Sequence, residues 1–367
     1  MTTKPLGLYI HIPFCERKCL YCDFYSFRCA DEEKQRYVDA LLKSIDEWSK
    51  KLCRKADTLY IGGGTPSTLS PKQIYDITQK VQKTFLTENA EITVEANPHS
   101  ALPEFLKAAA AAGVNRMSFG LQSANENELD ALGRRSTPQE LEKAINSAYS
   151  AGIENVSADI MLGIPEQTDS SLLHSLDFAL NLGIKHLSAY MLKIEENTPF
   201  YKMKDLLNLP DDDRTADLYE LMCDVLSSKD ALHYEISNFA FRGFESRHNL
   251  KYWRCEEYLG IGPAAHSFID GKRFFYPRDI DYFTGNNQPV DDGIGGTEDE
   301  YIMLKLRLLE GITFAEFENR FSHPFDKEKK KKAAFLMEKG LVNLNESGFH
   351  LTEKGFLISN TVINQFI

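Results

Sequence analysis

The chain has 367 residues, of which 43% are apolar and 26% are charged, as in ordinary globular proteins. Its net charge of -12 and its pI near 5.3 argue against a protein that binds nucleic acid through overall electrostatic attraction. No stretch approaches the roughly 20 apolar residues of a membrane span, and the N-terminus lacks the pattern of a secretory signal. We therefore expect a cytoplasmic protein that does not bind nucleic acid.

Short apolar runs alternate with amphipathic segments over the first two thirds of the chain. The runs are Leu6–Ile12, Thr58–Ile61, Ile92–Ala96, Arg116–Leu121, Val156–Leu162 and His186–Leu192. Helical spacing predicts a first helix capped by Asp31 and a second that begins at Pro71 with Ser70 as its cap. Further helices are predicted near Pro103–Ala112, Pro138–Ala151, Ser170–Leu182 and Asp213–Ser228. Such strand–helix repeats predict an α/β fold whose parallel sheet curves into a partial (βα)6 barrel, similar to a TIM barrel but not closed.

The repeat stops near residue 235, and a different pattern begins at Thr297. Residues 236–293 look irregular, and we expect a connecting segment there between a barrel domain (1–235) and a C-terminal α+β domain (294–367). In the last domain the pattern predicts three helices and two strands, at Glu298–Leu309, Phe314–Phe321, Lys327–Lys339, Leu341–Asn345 and Gly348–Thr352. This order is typical of a winged-helix-like module. Its run Lys329–Lys332 could suggest DNA binding, but the acidic neighbours favour a solvated helix face.

Three of the seven cysteines crowd into one short segment with the spacing C-x3-C-x2-C, namely Cys15, Cys19 and Cys22. Three thiolates in one loop can hold a [4Fe–4S] cluster and leave its fourth iron open to chelation by a small molecule. A zinc site with a distant fourth ligand such as His11, or three ordinary core cysteines, are the alternatives. The position directly after the first strand favours the cluster.

Polar and glycine residues follow the other predicted strands at the carboxyl ends, where barrels of this kind carry their chemistry. Strand two ends in Gly62–Pro66, where backbone amides could bind a carboxylate or an amine. Strand three ends at Glu95, strand four at Gln122, and strand five carries Asp159. Either Arg134 or Arg135 could point back to the same rim, and the sequence therefore predicts a binding site there.

These segments resemble the HemN/HemW branch of the radical SAM superfamily, over nearly the whole chain. The stretches that carry the resemblance are LYIHIPFCERKCLYCDF, IGGGTPS, SFGLQSAN, DIMLGIPEQT, HNLKYW and LGIGPAAHSF. The resemblance implies that the open iron binds S-adenosylmethionine (SAM) and that SAM cleavage yields a 5′-deoxyadenosyl radical. By position it places Tyr9, Tyr21, Gly63, Gly64, Thr65 and Glu95 around this SAM, and Gln122, Arg134 and Asp159 around a second SAM. Lys193 departs from the pattern, and His266 aligns near another SAM position.

Two features separate the branches. HemN, an oxygen-independent coproporphyrinogen III oxidase, has a further cysteine where this chain has Phe24, and a longer arm than the fourteen residues that precede Cys15 here. Both departures favour the HemW branch, and so does the motif HNxxYW at 248–253, which that branch associates with haem. His248 is thus predicted to contact haem, and Arg247 could pair with a propionate. From spacing alone, a structural role for His248 and Trp253 is favoured.

The HemW branch implies a haem chaperone that passes haem to haem-requiring proteins of the respiratory chain and lacks the oxidase activity. It leaves open a homodimer and membrane association through partner proteins. The alternative is an enzyme of the HemN type that oxidises coproporphyrinogen III. A nucleic-acid-binding regulator that uses the C-terminal module is a third possibility, which the acidic pI disfavours.

Overall fold

A computed structural model describes residues 4–367, so the first three residues of the predicted barrel domain lie outside the described part. The first elements are β1 (Leu6–Ile12), α1 (Asp31–Leu52), β2 (Ala56–Gly63), α2 (Pro71–Thr84), β3 (Leu86–Ala96), α3 (Pro103–Ala111), β4 (Arg116–Gln122), α4 (Glu126–Ala131), α5 (Pro138–Ser150), β5 (Asn155–Leu162), α6 (Asp169–Asn181) and β6 (His186–Met191). The strands β1 to β6 lie side by side in chain order and pair in parallel. The predicted partial (βα)6 barrel is confirmed.

Of the two helix caps predicted for the barrel, one is confirmed and one is wrong. Ser70 caps α2 in a capping box, in which its side chain accepts from the Gln73 amide. The prediction that Asp31 caps α1 is wrong, because Asp31 is the first helical residue and the extended Ala30 precedes it without a side-chain bond. From its position in the first turn, the Asp31 carboxylate still interacts favourably with the positive end of the helix dipole.

The segment predicted to be irregular is instead largely part of the same sheet. After α7 (Pro199–Met203) and α8 (Asp212–Ser228) come β7 (Leu232–Glu235), β8 (Asn238–Ala240), α9 (Arg247–Trp253), β9 (Tyr258–Ile261), β10 (His266–Ile269), β11 (Lys272–Phe275), α10 (Ile280–Gly285) and β12 (Val290–Ile294). The sheet has 12 strands in the order β12-β11-β10-β9-β1-β2-β3-β4-β5-β6-β8-β7. Strand β9 pairs in parallel with β1, so β1 is a central strand. The irregular reading was wrong because these strands are too short for a visible alternation.

The C-terminal module has its own small core. Its elements are α11 (Glu298–Lys305), β13 (Ile312–Thr313), α12 (Phe314–Phe321), α13 (Lys327–Glu338), β14 (Val342–Leu344), β15 (Gly348–Leu351), α14 (Glu353–Leu357) and α15 (Ser359–Ile363). The three predicted helices α11 to α13, two further short helices and a three-stranded sheet in the order β13-β15-β14 confirm the winged-helix-like α+β architecture. Buried aromatic residues such as Phe317 and Phe349 form a hydrophobic cluster separate from that of the barrel. Within residues 4–367, no helix combines the length and apolar character needed to cross a membrane.

Candidate functional site

The loop after β1 presents the three cysteines at the carboxyl end of the barrel. Backbone bonds from Cys15 N to Phe27 O and from Phe27 N to Pro13 O, both 3.0 Å, close its base. Cys15, Cys19 and Cys22 are free thiols, and each is partly accessible. The Cys15 Sγ lies 3.3 Å from Thr65 Oγ1, and the Cys19 Sγ lies 4.0 Å from an Nη atom of Arg134. The loop is therefore held rigidly at its base and offers three thiols to a ligand.

The thiol arrangement fits a cluster better than a single zinc ion. Among residues 4–367, no three His, Cys, Asp or Glu side chains converge on one point where a single ion could bind. His11, the candidate fourth zinc ligand, has both ring nitrogens engaged, by Tyr9 OH at 3.0 Å and by the Tyr25 carbonyl at 2.9 Å. In a [4Fe–4S] cluster each thiolate binds a different iron, so the three sulfurs need not meet at one point.

Glycines bring the loop after β2 against the cysteine loop. Gly64 N donates to Ile12 O at 2.8 Å and Thr65 N donates to Phe14 O at 2.7 Å. A Cβ on Gly64 would lie 2.6 Å from Phe14 O, so only glycine permits this approach. The Gly63 amide donates to Glu95. All three amides are thus bonded within the chain, and the expectation that they are free to bind a carboxylate is wrong.

Glu95 lies at the carboxyl end of β3, beside Gly62. Its carboxylate accepts from Tyr60 OH at 2.7 Å and from Gly63 N at 3.1 Å. Burial raises the pKa of Glu95, and the two hydrogen bonds oppose that rise. Tyr9 lies beside Tyr60, with ring centroids 6.3 Å apart. A cation bound here would stabilise the ionised carboxylate.

A second group of polar side chains lies beside the first, on and after strands β4 to β6. Arg134 donates to Gly120 O at 2.7 Å and to Tyr21 OH at 3.2 Å. Tyr190 OH donates to Gln122 Oε1 at 2.7 Å. Asp159 accepts from Ser118 Oγ at 3.4 Å, and burial together with the nearby Glu95 raises its pKa to about 7. The arrangement offers a guanidinium, an amide and a carboxyl group that is half protonated near neutral pH.

The structure brings nine of the ten predicted cofactor-binding residues to this end of the barrel. They are Tyr9, Tyr21, Gly63, Gly64, Thr65, Glu95, Gln122, Arg134 and Asp159. Sequence reasoning missed Tyr60 and Tyr190, which the inward-facing period of β2 and β6 could have indicated. Lys193 is exposed and pairs with Glu195. His266 lies on β10, two strands away from β1, and stacks on Phe275.

His248, the tenth residue, is not at this site or at the surface. Its side chain is completely buried, and its ring nitrogens bind Thr58 Oγ1 at 2.8 Å and Tyr252 OH at 2.7 Å. Burial lowers the pKa of His248 to about 3, so the ring is neutral at physiological pH. Because both nitrogens are engaged and no surface reaches them, the predicted direct contact of His248 with haem is not available in this structure.

Comparison with known proteins identifies the family of this chain. Residues 9–179 match the Radical SAM superfamily model and residues 299–358 match the HemN C-terminal domain model. Haem chaperone HemW of Bacillus subtilis (strain 168) is 36% identical over 372 residues, which cover 98% of each chain. Haem chaperone HemW of Lactococcus lactis is 33% identical and covers 100% of this chain and 98% of its own. The chain belongs to the HemW family.

The fold of this HemW family member is also that of a solved structure. Coproporphyrinogen III oxidase (HemN) from Escherichia coli, a radical SAM enzyme, matches with a TM-score of 0.85 over 100% of this chain and 91% of that chain. The two sequences are 23% identical, so this likeness concerns the fold alone. As part of the radical SAM superfamily, the HemW family implies a [4Fe–4S] cluster and SAM.

Proposed function

We propose that this chain is a cytoplasmic haem chaperone that binds haem and passes it to haem-requiring proteins of the respiratory chain. The observation that carries this proposal is the similarity to haem chaperones HemW over essentially the full length of both chains. Phe24 supports it, because the oxidase-type cysteine is replaced here by a phenylalanine that is 68% exposed beside the cysteine loop. Formation of a homodimer and membrane contact through recipient proteins belong to the same proposal.

In this proposal Cys15, Cys19 and Cys22 would hold the [4Fe–4S] cluster, with SAM bound beside it. When bound, the cluster would supply one-electron reduction chemistry toward the sulfonium of SAM. Glu95 attracts the cationic ammonium, and its bonds to Tyr60 and Gly63 fix the direction of its oxygens. Tyr9, Tyr21, Gly64 and Thr65 shape the surrounding wall.

Gln122, Arg134 and Asp159 bind the far end of the ligand or a second SAM. Arg134 suits an anionic group, since its partly accessible guanidinium is held by the Gly120 carbonyl and Tyr21 OH. Asp159 can donate or accept a proton near neutral pH.

In this proposal, the residues of α9 that contact haem are the solvent-accessible members of the HNxxYW motif. These are Asn249, Tyr252 and Trp253, which are partly accessible, and the preceding Arg247 is exposed. The aromatic rings can pack on a porphyrin and the guanidinium can pair with a propionate.

A haem titration of the anaerobically reconstituted protein tests the chaperone proposal. We expect stoichiometric haem binding and no conversion of coproporphyrinogen III when SAM and a reductant are supplied. The incubation with coproporphyrinogen III, SAM and reductant tests the second candidate, an oxidase of the HemN type, which we consider because of the shared fold. Formation of protoporphyrinogen would overturn the chaperone proposal as the main function.

Cysteine variants test the cluster assignment separately. Replacing Cys15, Cys19 and Cys22 together by Ala should abolish the brown absorbance of the reconstituted protein. Cys53→Ala is the matched control, because Cys53 is exposed and lies at the end of α1. An iron–sulfur spectrum that survives in the triple variant would refute the assignment.

A further inference from the structure

The first three strands of the barrel place their inward-facing residues in stacked rows. Residues that are neighbours in the strand register form the lowest and the middle row, counted from the amino-terminal end of the strands. The upper row lies next to the cysteine loop. The rows are Gly7, Thr58 and Glu91; then Tyr9, Tyr60 and Thr93; then His11 and Gly62, with Glu95 next to Gly62. The upper row is thus the proposed SAM site, and the lowest row lies at the opposite, amino-terminal end of the strands.

Helix α9 is seated on the lowest row. The carboxylate of Glu91 accepts from the backbone amides of Arg247 at 3.2 Å and His248 at 3.1 Å. Thr58 binds the His248 ring, as described above. A Cβ on Gly7 would lie 3.3 Å from the His248 ring, so the glycine makes room for it. The first turn of α9 therefore closes the amino-terminal end of the barrel, with His248 pointing inward.

From there contacts lead through the middle row to the upper one. The His248 ring lies against Tyr60, with centroids 5.3 Å apart and planes inclined by 30°. The hydroxyl of Tyr60 donates to one Glu95 oxygen at 2.7 Å, and the other Glu95 oxygen accepts from Gly63. Tyr252 holds the remaining ring nitrogen of His248. Four groups, His248, Tyr60, Glu95 and the Gly63 amide, thus form one continuous series.

We propose that His248 is a positioning residue for SAM: it fixes the Tyr60 ring and through it the Glu95 carboxylate. This inference rests on the proposed role of Glu95 in SAM binding. It gives the histidine of the HNxxYW motif a role inside the barrel and leaves haem contact to the outer face of α9. An imidazole suits this place, because its two nitrogens bind Thr58 and Tyr252 in fixed directions while its ring packs against that of Tyr60.

The chain offers a matched control in His186. This histidine is also buried in the barrel, and its ring nitrogens also bind a hydroxyl and a tyrosine, Ser157 at 2.7 Å and Tyr234 at 2.8 Å. No aromatic contact leads from His186 to Tyr60 in the described part of the chain. His186→Phe should therefore cost stability as His248→Phe does, without the effect on SAM.

The test measures SAM affinity through the change that SAM causes in the EPR spectrum of the reduced cluster. In His248→Phe we expect normal iron content, unchanged haem affinity and a SAM dissociation constant raised about tenfold, as in Tyr60→Phe. The double variant His248→Phe/Tyr60→Phe should lose no more SAM affinity than either single variant, since both substitutions act on Glu95. Tyr252→Phe is a milder change that should weaken SAM binding in the same direction. It replaces His248→Phe in the test if that variant does not fold.

Glu95→Gln separates this inference from the function on which it rests. If Glu95→Gln leaves SAM affinity intact, the proposed role of Glu95 fails. If Glu95→Gln weakens SAM binding while His248→Phe and Tyr252→Phe do not, the positioning role of His248 is overturned. Equal SAM losses in the His248 and His186 variants, or loss of haem with unchanged SAM affinity in His248→Phe, would also overturn it.

Discussion

Two carboxyl groups share the interior of the barrel with two arginines, of which Arg116 is buried and Arg134 is partly accessible. Burial and the nearby Glu95 raise the pKa of Asp159, whereas Arg134 and Arg116 oppose that rise. Arg116 is 2% exposed, and its Nε has no hydrogen-bond partner in the described structure. Such a group of charges is costly to bury and is typical of a site that binds a charged ligand.

At this scale we predict a pH dependence that originates in Asp159. Its pKa rises from 3.8 to about 7 on folding, so the folded chain binds a proton more tightly than the unfolded chain. The stability contribution is therefore present below about pH 4 and is lost as the pH rises toward 7, with an upper limit of about 4 kcal/mol. Asp159→Asn should flatten the fall in unfolding free energy between pH 5 and pH 8 in urea titrations.

Glu235, which is buried at the end of β7, titrates in the same range, since burial raises its pKa to about 7. The comparison is therefore between the slopes of the wild type and of Asp159→Asn, with Glu235 present in both. An identical slope in the two proteins would contradict the prediction.

At the scale of the element, the loop after β2 depends on a glycine that no other residue can replace without strain. Gly63 has φ +111, and a Cβ there would lie 2.6 Å from the His11 ring. Gly63→Ala should lower the free energy of unfolding by about 3 kcal/mol, from backbone strain and displacement of His11 together. Denaturant unfolding of the apoprotein measures this without any cofactor.

Gly152→Ala is the control for that loop. Gly152 also has a positive φ of 91, but nothing lies within 4 Å of the position of its Cβ. We expect only the backbone cost there, about 1 kcal/mol. Equal losses in the two variants would show that the contact with His11 does not matter.

Elements whose signal is local could be predicted from the sequence. The strands β1 to β6 have enough residues for an apolar run, and the cysteine spacing and the strand-end residues lie directly beside those runs. The strands β9 to β11 have four residues each and depend on pairing with β1 and with each other, which no local pattern reveals. The motif 248–253 was recognised, but which face of α9 turns inward is decided by Gly7 and Thr58, far away in the chain.

For the whole molecule, polar contacts connect the barrel to the C-terminal module. Arg254, which follows α9, donates to both oxygens of Glu310 at 3.0 and 2.8 Å, and the buried Lys305 donates to the same carboxylate at 2.7 Å. These bonds lower the pKa of Glu310 to about 2. Glu310 therefore joins a residue of the first unit to a residue of the second.

We predict that Glu310→Gln destabilises the protein by about 1 kcal/mol at pH 7, because Arg254 of the barrel and the buried Lys305 both lose the charge of their shared carboxylate. The depressed pKa means that this stabilisation is present above about pH 4.5 and is lost as the pH falls toward 2. The wild type and the variant should therefore converge in acid. Thermal unfolding at several pH values provides the measurement.

An exposed ion pair within one helix serves as comparison. Glu328 pairs with Lys331 at 2.7 Å, and both side chains are more than two-thirds accessible. Glu328→Gln should change stability by a few tenths of a kcal/mol at most. If the two variants behave alike, the contact between the barrel and the module contributes nothing measurable.

The pairing of β1 with β9 also bears on the order in which a ribosome delivers the chain. Gly7 lies beside Tyr258 in this pairing, so one edge of β1 stays unpaired until the last third of the polypeptide has been synthesised. Domains fold as units during synthesis, and an open strand edge invites mispairing. The loop that carries Cys15, Cys19 and Cys22 is thus translated early but gains its final support late. On the proposed function, cluster assembly is therefore expected only in the completed chain, after residues 248–253 have closed the amino-terminal end of the barrel.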